Sequence, residues 1–236
     1  MKTGWAKQSH PWTTQHISSM ADKYWFDEEA AQRAVDFIEK FCTHVKGELG
    51  GTPFLLEDWQ KNDIIRPLFG WKQQDGRRKY RTCYVEIPRK NGKSNLSAAI
   101  ALYLLFADKE PGAEVISAAG DRGQANIVFN IAQEMVANNP ALTRRSKVLR
   151  TSIECGSSWY KSISAESYTK HGLNCHGVVF DELHSQKTRD LWDVLVTSTG
   201  ARRQPLVVAL TTRGPRPHKH LLGSPRIRNE RQNGQN

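Results

Sequence analysis

The chain has 236 residues, 25% of them charged and 38% hydrophobic, and a net charge of +10. That length suffices for one α/β domain with a sizeable core and some appendages, and it is too short for two large domains. No apolar run approaches a membrane span and the first residues carry no apolar signal core, so the expectation is a soluble intracellular protein.

The charge is uneven: residues 213–236 hold six Lys or Arg and one Glu, a net of +5 and half of the total. A polyanionic partner is favoured, through a localised patch rather than through the composition of the whole domain. Cys42 and Cys83 lie in apolar segments and read as reduced core residues. Cys175 with His171, His176 and His184 lacks zinc-finger spacing and reads as surface residues flanking a strand, so no zinc is expected.

In chain order, residues 1–23 are polar and without periodicity, an arm rather than a core element. Asp27 can cap a helix whose apolar positions Ala30, Ala34, Val35, Ile38, Phe41 and Cys42 recur at helical spacing, with its end near 47–51. A second helix is expected to run through Ile64, Ile65 and Leu68 to Gly70. Gln60 lies near its start; a side-chain amide offers a donor and an acceptor in one plane and so matches an adenine edge, although a polar helix surface also accounts for it. Residues 70–81, with Arg77, Arg78, Lys79 and Arg81, read as an exposed turn, either a solvated face or a DNA contact.

The stretch 84–96, Y-V-E-I-P-R-K-N-G-K-S-N-L, organises the rest. Residues 82–87 read as a buried strand, 88–92 as a tight loop and 93–105 as a helix. Pro88, Arg89, Lys90, Asn91, Gly92, Lys93 and Ser94 are thereby delivered to a helix N-terminus. Unpaired N–H groups and the positive end of the helix dipole there suit a phosphate and its metal. The pattern G-x-x-x-x-G-K-[ST] is matched only in its second half, because Ile87 stands where the first glycine would fall. A polar turn capping a surface helix is the alternative.

Residues 114–119 read as a second strand, followed by a helix from Asp121 to just before Asn138. Short extended pieces at 147–150, 152–155 and 158–164 are compatible with an antiparallel excursion on one sheet edge. Then H-G-V-V-F-D-E-L-H, residues 176–184, describes a central parallel strand ending in two carboxylates, at the edge where α/β folds bind ligands. Asp181 would hold a magnesium shell and Glu182 would polarise water. A helix over 188–199 and a strand over 206–210, closed by Thr211 and Thr212, complete an α/β fold: a doubly wound, mainly parallel sheet of the P-loop ATPase type with an N-terminal helical appendage.

With these segments in view, residues 24–212 resemble the ATPase domain of large terminase subunits, the DNA-packaging motors of tailed bacteriophages and prophages. The resemblance rests on the ordered set P-F-L-L-E-D-W-Q, E-I-P-R-K-N-G-K-S, S-A-A-G-D-R-G-Q-A, S-A-E-S, H-G-L-N-C-H-G-V-V-F-D-E-L-H and A-L-T-T. It implies ATP and Mg2+ as ligands. It also makes Gln60 the adenine contact, Arg89 the arginine that opens the phosphate loop, and Lys93 the β/γ-phosphate lysine. Ser94 and Asp181 become the magnesium site, Glu182 the catalytic carboxylate, and Thr211 and Thr212 the coupling motif. The implied partners are double-stranded DNA, a portal protein, a small terminase subunit and further copies of the chain in a ring. The implied location is the cytoplasm of a bacterial host, with no membrane association. Residues 213–236 depart from the family, which continues into an RNase H-like nuclease. They read as a basic irregular tail, disordered or out of frame, so the chain is expected to be a truncated or frameshifted product without nuclease activity. A P-loop helicase or other ring ATPase, and an inactive nucleotide- or DNA-binding remnant, are the other readings.

Overall fold

The computed structural model describes residues 23–165, 172–183 and 188–212. Strand β1 (Tyr24–Phe26) leads into helix α1 (Glu28–Phe41). The Asp27 carboxylate accepts the Ala30 N–H at 2.9 Å, and Glu28 and Glu29 sit in the first turn, where the helix dipole favours them. The apolar stripe expected from the periodicity is buried, but the helix stops at Phe41 instead of near 47–51. Cys42 is extended, and the chain doubles back in a hairpin-like turn in which the His44 N–H donates to the Thr52 carbonyl and the Phe54 N–H to the Cys42 carbonyl. The glycines at 47, 50 and 51 belong to that turn, not to a helix C-terminus.

The second helix is split. A π-helical segment (Gln60–Ile65) passes into α2 (Arg66–Gly70), which meets β2 (Trp71–Gln73), and β2 pairs antiparallel with β1. β3 (Thr82–Ile87), α3 (Lys93–Phe106), β4 (Glu114–Ala119) and α4 (Arg122–Ala137) follow the sequence expectation closely. α5 (Pro140–Thr143) is a single turn, then come β5 (Lys147–Val148), β6 (Ile153–Cys155), β7 (Ser158–Ser164), β8 (Cys175–Asp181), α6 (Asp190–Thr197) and β9 (Leu206–Thr212). The tail from 213 and the arm to 22 lie outside the described residues, as do His171 and His184.

The main sheet has the order β3-β9-β8-β4-β7-β6-β5, parallel from β3 to β7 and antiparallel from β7 to β5. Alternation along the strands divides the core. Val115, Val179, Val208 and Leu210 face α1, α3 and α4, while Ile116, Val178, Phe180, Val207 and Ala209 face α6. α3 is apolar on every side because it is enclosed by the sheet, α1 and α4, and its residues Leu96 to Leu105 are all buried. Gly177 of β8 lets α3 approach this closely, since a Cβ there would lie 2.7 Å from Leu104 Cδ1.

The edge of the sheet at which β8 begins is fastened by a buried charge cluster. Arg78 donates to both carboxylate oxygens of Asp108 and to the Gln204 carbonyl, and His176 Nε2 lies 2.6 Å from Asp108 Oδ2. Arg78 is 1% exposed, so it is not part of a solvated run; its neighbour Arg77 is exposed and pairs with Asp75. Cys175 and His176 likewise are buried strand residues rather than surface residues flanking a strand. Burial opposes the charge of Asp108, but Arg78 and His176 outweigh it and hold the carboxyl below its ordinary value of 3.8. Its stabilising contribution is therefore fully present above the unfolded pKa and is lost as pH falls through the lower folded value. Replacing Arg78 with Met should cost about 3–5 kcal/mol in urea unfolding, because Asp108 loses its strongest partner while buried. Arg77→Met should leave the urea midpoint close to that of the wild type, because its pair with Asp75 is exposed and screened by water. Equal effects of the two would contradict the clamp.

Candidate nucleotide site

β9 lies between β3 and β8, and its register places Thr212 opposite Ile87 while Leu210 faces Asp181. The loop after β3, the acids at the end of β8 and the threonines at the end of β9 therefore meet at one sheet edge. There they surround a pocket of about 480 Å³ lined by Pro88, Arg89, Lys90, Gly92, Lys93, Ser94, Asn95, Gln124, Glu182 and Thr212.

The loop is held by one of its own side chains. Asn91 Nδ2 donates to the carbonyls of Pro88 and Arg89 at 3.1 and 3.2 Å. Lys90 and Gly92 both have φ of 68°, and Gly92, as N-cap of α3, adopts this left-handed geometry without a Cβ penalty. Glu182 also has a positive φ, 50°, so two of the three non-glycine residues of this kind among those described lie at this pocket. Such strain persists where the surroundings enforce it, commonly at functional sites.

Lys93 is the centre of the polar network. Its Nζ donates to Glu182 Oε1, lies 3.1 Å from Thr212 Oγ1 and 3.4 Å from Asp181 Oδ1. Glu182 also accepts from the Thr212 hydroxyl at 2.7 Å and the Thr212 backbone N–H at 3.2 Å. Burial opposes the Glu182 charge, but the bonds from Lys93 and Thr212 outweigh it and hold its pKa below the ordinary glutamate value. Asp181 is 3% exposed, and there burial dominates, with the neighbouring Glu182 charge adding to it, so its pKa is raised despite Lys93. Two adjacent carboxylates are thus set apart, one readily ionised and one costly to ionise without a further cation.

Asp181 also supplies a test of whether a metal fits. Its Oδ2 accepts from Ser94 Oγ at 3.4 Å, and its buried Oδ1 has no hydrogen-bond partner, only the Lys93 ammonium 3.4 Å away. A hydroxyl beside a desolvated carboxylate with a vacant acceptor is a donor set that a hard, oxygen-seeking cation such as magnesium satisfies. The residues fit the metal.

Of the residues singled out in the sequence, Thr211 is buried beneath the pocket and Arg89 is exposed at its mouth. Gln60 stands apart from the lining. It is 2% exposed, its Oε1 accepts the Glu57 N–H at 3.1 Å, and its Nε2 lies 3.6 Å from the position of a Cβ on Gly92. It packs behind the loop, at the start of the π-helical segment. Asn95 and Gln124 line the pocket without having been singled out; Gln124 follows the N-cap Asp121 of α4, inside the segment S-A-A-G-D-R-G-Q-A.

A parallel α/β sheet with a lysine- and serine-bearing loop at a helix N-terminus, facing two acids at the end of a neighbouring strand, defines a phosphate-binding domain of the P-loop nucleotide type. Comparison with known proteins narrows this: residues 58–222 match the family model for the terminase large subunit ATPase domain, and the chain belongs to that family. It is 34% identical over 190 residues to the terminase large subunit of Enterobacteria phage HK97, an alignment covering 77% of this chain and 36% of that protein. The crystal structure of the HK97 bacteriophage large terminase superposes with a TM-score of 0.65 at 30% identity, over 77% of this chain and 37% of the other. The chain thus spans about a third of the length of the relatives it matches.

Replacing Thr212 with Val should raise the pKa of Glu182, since one of the hydrogen bonds that holds it down is removed while burial stays. A side-chain carboxyl NMR titration reads this directly, and an unmoved or lowered Glu182 would contradict the assigned network.

Proposed function

We propose that this chain binds ATP with magnesium in the β3–β8–β9 pocket and hydrolyses it to ADP and phosphate, as the motor domain that drives viral double-stranded DNA into a procapsid. The observation that carries the reading is the convergence of Lys93 and Ser94 on Asp181, Glu182 and Thr212, residues that are distant in sequence and meet at one sheet edge.

Phosphoryl transfer needs little covalent help, so the work of the site is positioning and charge cancellation. The loop N–H groups and the α3 N-terminus cradle the phosphates, and the Lys93 ammonium exchanges its carboxylate partner for β/γ-phosphate oxygens. Arg89, exposed at the mouth, adds a second cation. Ser94 and Asp181 would hold magnesium, which would supply charge cancellation on the phosphate oxygens. Glu182, once Lys93 turns away, keeps its bonds to Thr212 and presents a low-pKa carboxylate that orients and polarises the attacking water. Gln60 serves adenine if its amide turns out from behind the loop. In its present position it braces Gly92.

Thr212 Oγ1 also accepts from Lys93 Nζ at 3.1 Å, so the end of β9 loses a bond when Lys93 turns from Glu182 to phosphate. This supports a coupling role for Thr211 and Thr212 between hydrolysis and movement. The family supports double-stranded DNA, a portal protein, a small subunit and a ring of copies as partners, acting in the bacterial cytoplasm. No described helix is long and apolar enough to cross a membrane.

Lys93→Ala should abolish nucleotide binding or turnover, and wild-type affinity and rate in that variant would refute the site. Glu182→Gln should retain nucleotide affinity and lower turnover about 10²-fold or more, the usual scale for a positioned base. Unchanged turnover would move the base elsewhere.

A further inference from the structure

Burial and ion pairing decide which of the cations in this basic chain are available to a partner. In the run at 77–81, Arg78 is buried on Asp108 and Arg77 pairs with Asp75, while Arg81 is exposed without an ion-pair partner among the described residues. Lys79 Nζ is enclosed by the rings of Tyr24, Trp71 and Tyr80 at 4.4, 4.9 and 5.0 Å. Arg202 spends its guanidinium on Glu110 and the carbonyls of Pro111, Gly112 and Asn174.

A different segment has the opposite character. Between α5 and β6, Arg144, Arg145, Lys147 and Arg150 are all exposed, and among the described residues none of the four has an ion-pair partner. One carboxylate is near: Glu154 stands opposite Lys147 in the β5–β6 register, but it accepts from Ser152 Oγ at 3.3 Å and forms no ion pair with Lys147. The four cations occupy seven residues of a short turn and outermost strand, anchored by Thr143 Oγ1 and Ser146 Oγ on the carbonyls of Val136 and Leu142 and by Gln133 Nε2 on the Leu149 carbonyl. The backbone that displays them is thus fixed.

We infer that this outer edge, Arg144, Arg145, Lys147 and Arg150, is the surface on which the folded domain holds the phosphate backbone of duplex DNA. The inference rests on the DNA-motor reading above. Its physical basis is that unpaired guanidinium and ammonium groups on a fixed edge release counterions when they meet regularly spaced phosphates, without reading sequence. The edge lies at the far end of the sheet from β3 and the phosphate loop, so it can grip DNA without obstructing nucleotide entry. Lys and Arg on an outermost strand also discourage strand-to-strand aggregation. The experiment must separate that role from binding.

The test uses the full chain and a duplex of mixed sequence, with binding measured from low to moderate salt. The variant R144Q/R145Q/K147Q/R150Q is compared with a full-length variant in which the six tail cations, Arg213, Arg216, Lys219, Arg226, Arg228 and Arg231, become Gln. The edge variant should bind at least tenfold more weakly at low salt, with the slope of log K against log salt reduced by up to about 3.6, since each of the four phosphate contacts contributes about 0.9. Its melting temperature and DNA-free ATP turnover should stay at the wild-type values. Wild-type affinity and slope in the edge variant, loss confined to the tail variant, or a wild-type chain that binds no duplex would each overturn the inference. Absence of magnesium-dependent ATP turnover in the wild type would instead refute the motor reading, whatever the DNA result. Aggregation of the edge variant with unchanged DNA affinity of its soluble fraction would assign the cations to edge protection alone and sink the inference.

Discussion

The parallel insertion of β9 between β3 and β8 is the constraint on which the site depends. The strands that lead into the phosphate loop and the carboxylate pair, β3 and β8, are not adjacent in the sheet; each pairs with β9. A register slip of one residue in that strand would exchange its two faces, turning Val208 and Leu210 away from α3 and moving Thr212 off Glu182. The continuous apolar run L-V-V-A-L, buried on both faces, therefore does two things at once. It fills the core and it fixes the level at which Lys93, Asp181, Glu182 and Thr212 meet.

The opposite edge of the sheet is set by the Arg78–Asp108–His176 cluster. Asp108 lies just past the end of α3 and His176 near the start of β8, so the rods that carry Lys93 and Asp181 at one end are tied together at the other. Gly177, one residue further along β8, lets α3 lie close against that strand. A buried ionic cluster is a weak source of net stability but a costly one to disrupt, which suits a role in fixing the relation between two elements. At the functional end the same physics is arranged differently: Glu182 is solvated enough, and bonded enough, to stay charged, whereas Asp181 is desolvated and leaves an acceptor open.

Much of this was legible from residues alone where a local signal and the tertiary outcome agree. The bounds of β3 and β4 follow from short apolar runs ended by Pro88 and Gly120, and the Asp27 and Asp121 caps are visible as acids ahead of periodic segments. The phosphate loop was recognisable by Gly92, Lys93 and Ser94 without its first glycine. What escaped was set by contacts between distant segments. The end of α1 is decided by a turn that pairs His44 with Thr52. Arg78 looks like its exposed neighbour Arg77 until Asp108 arrives from 30 residues further along, with His176 a further 68 residues beyond Asp108. The π-helical start at Gln60 has no periodicity of its own to betray it, and Gln124 joins the pocket only because α4 begins at the same sheet edge.

The most direct test of the account is a structure of the full chain with magnesium and a non-hydrolysable ATP analogue. The β- and γ-phosphates should lie against the loop 88–94, with Lys93 Nζ transferred from Glu182 to phosphate oxygens, the metal between Ser94 and Asp181, and Glu182 still bonded to Thr212. Nucleotide bound elsewhere, or phosphates in the pocket with Lys93 still paired to Glu182, would contradict it.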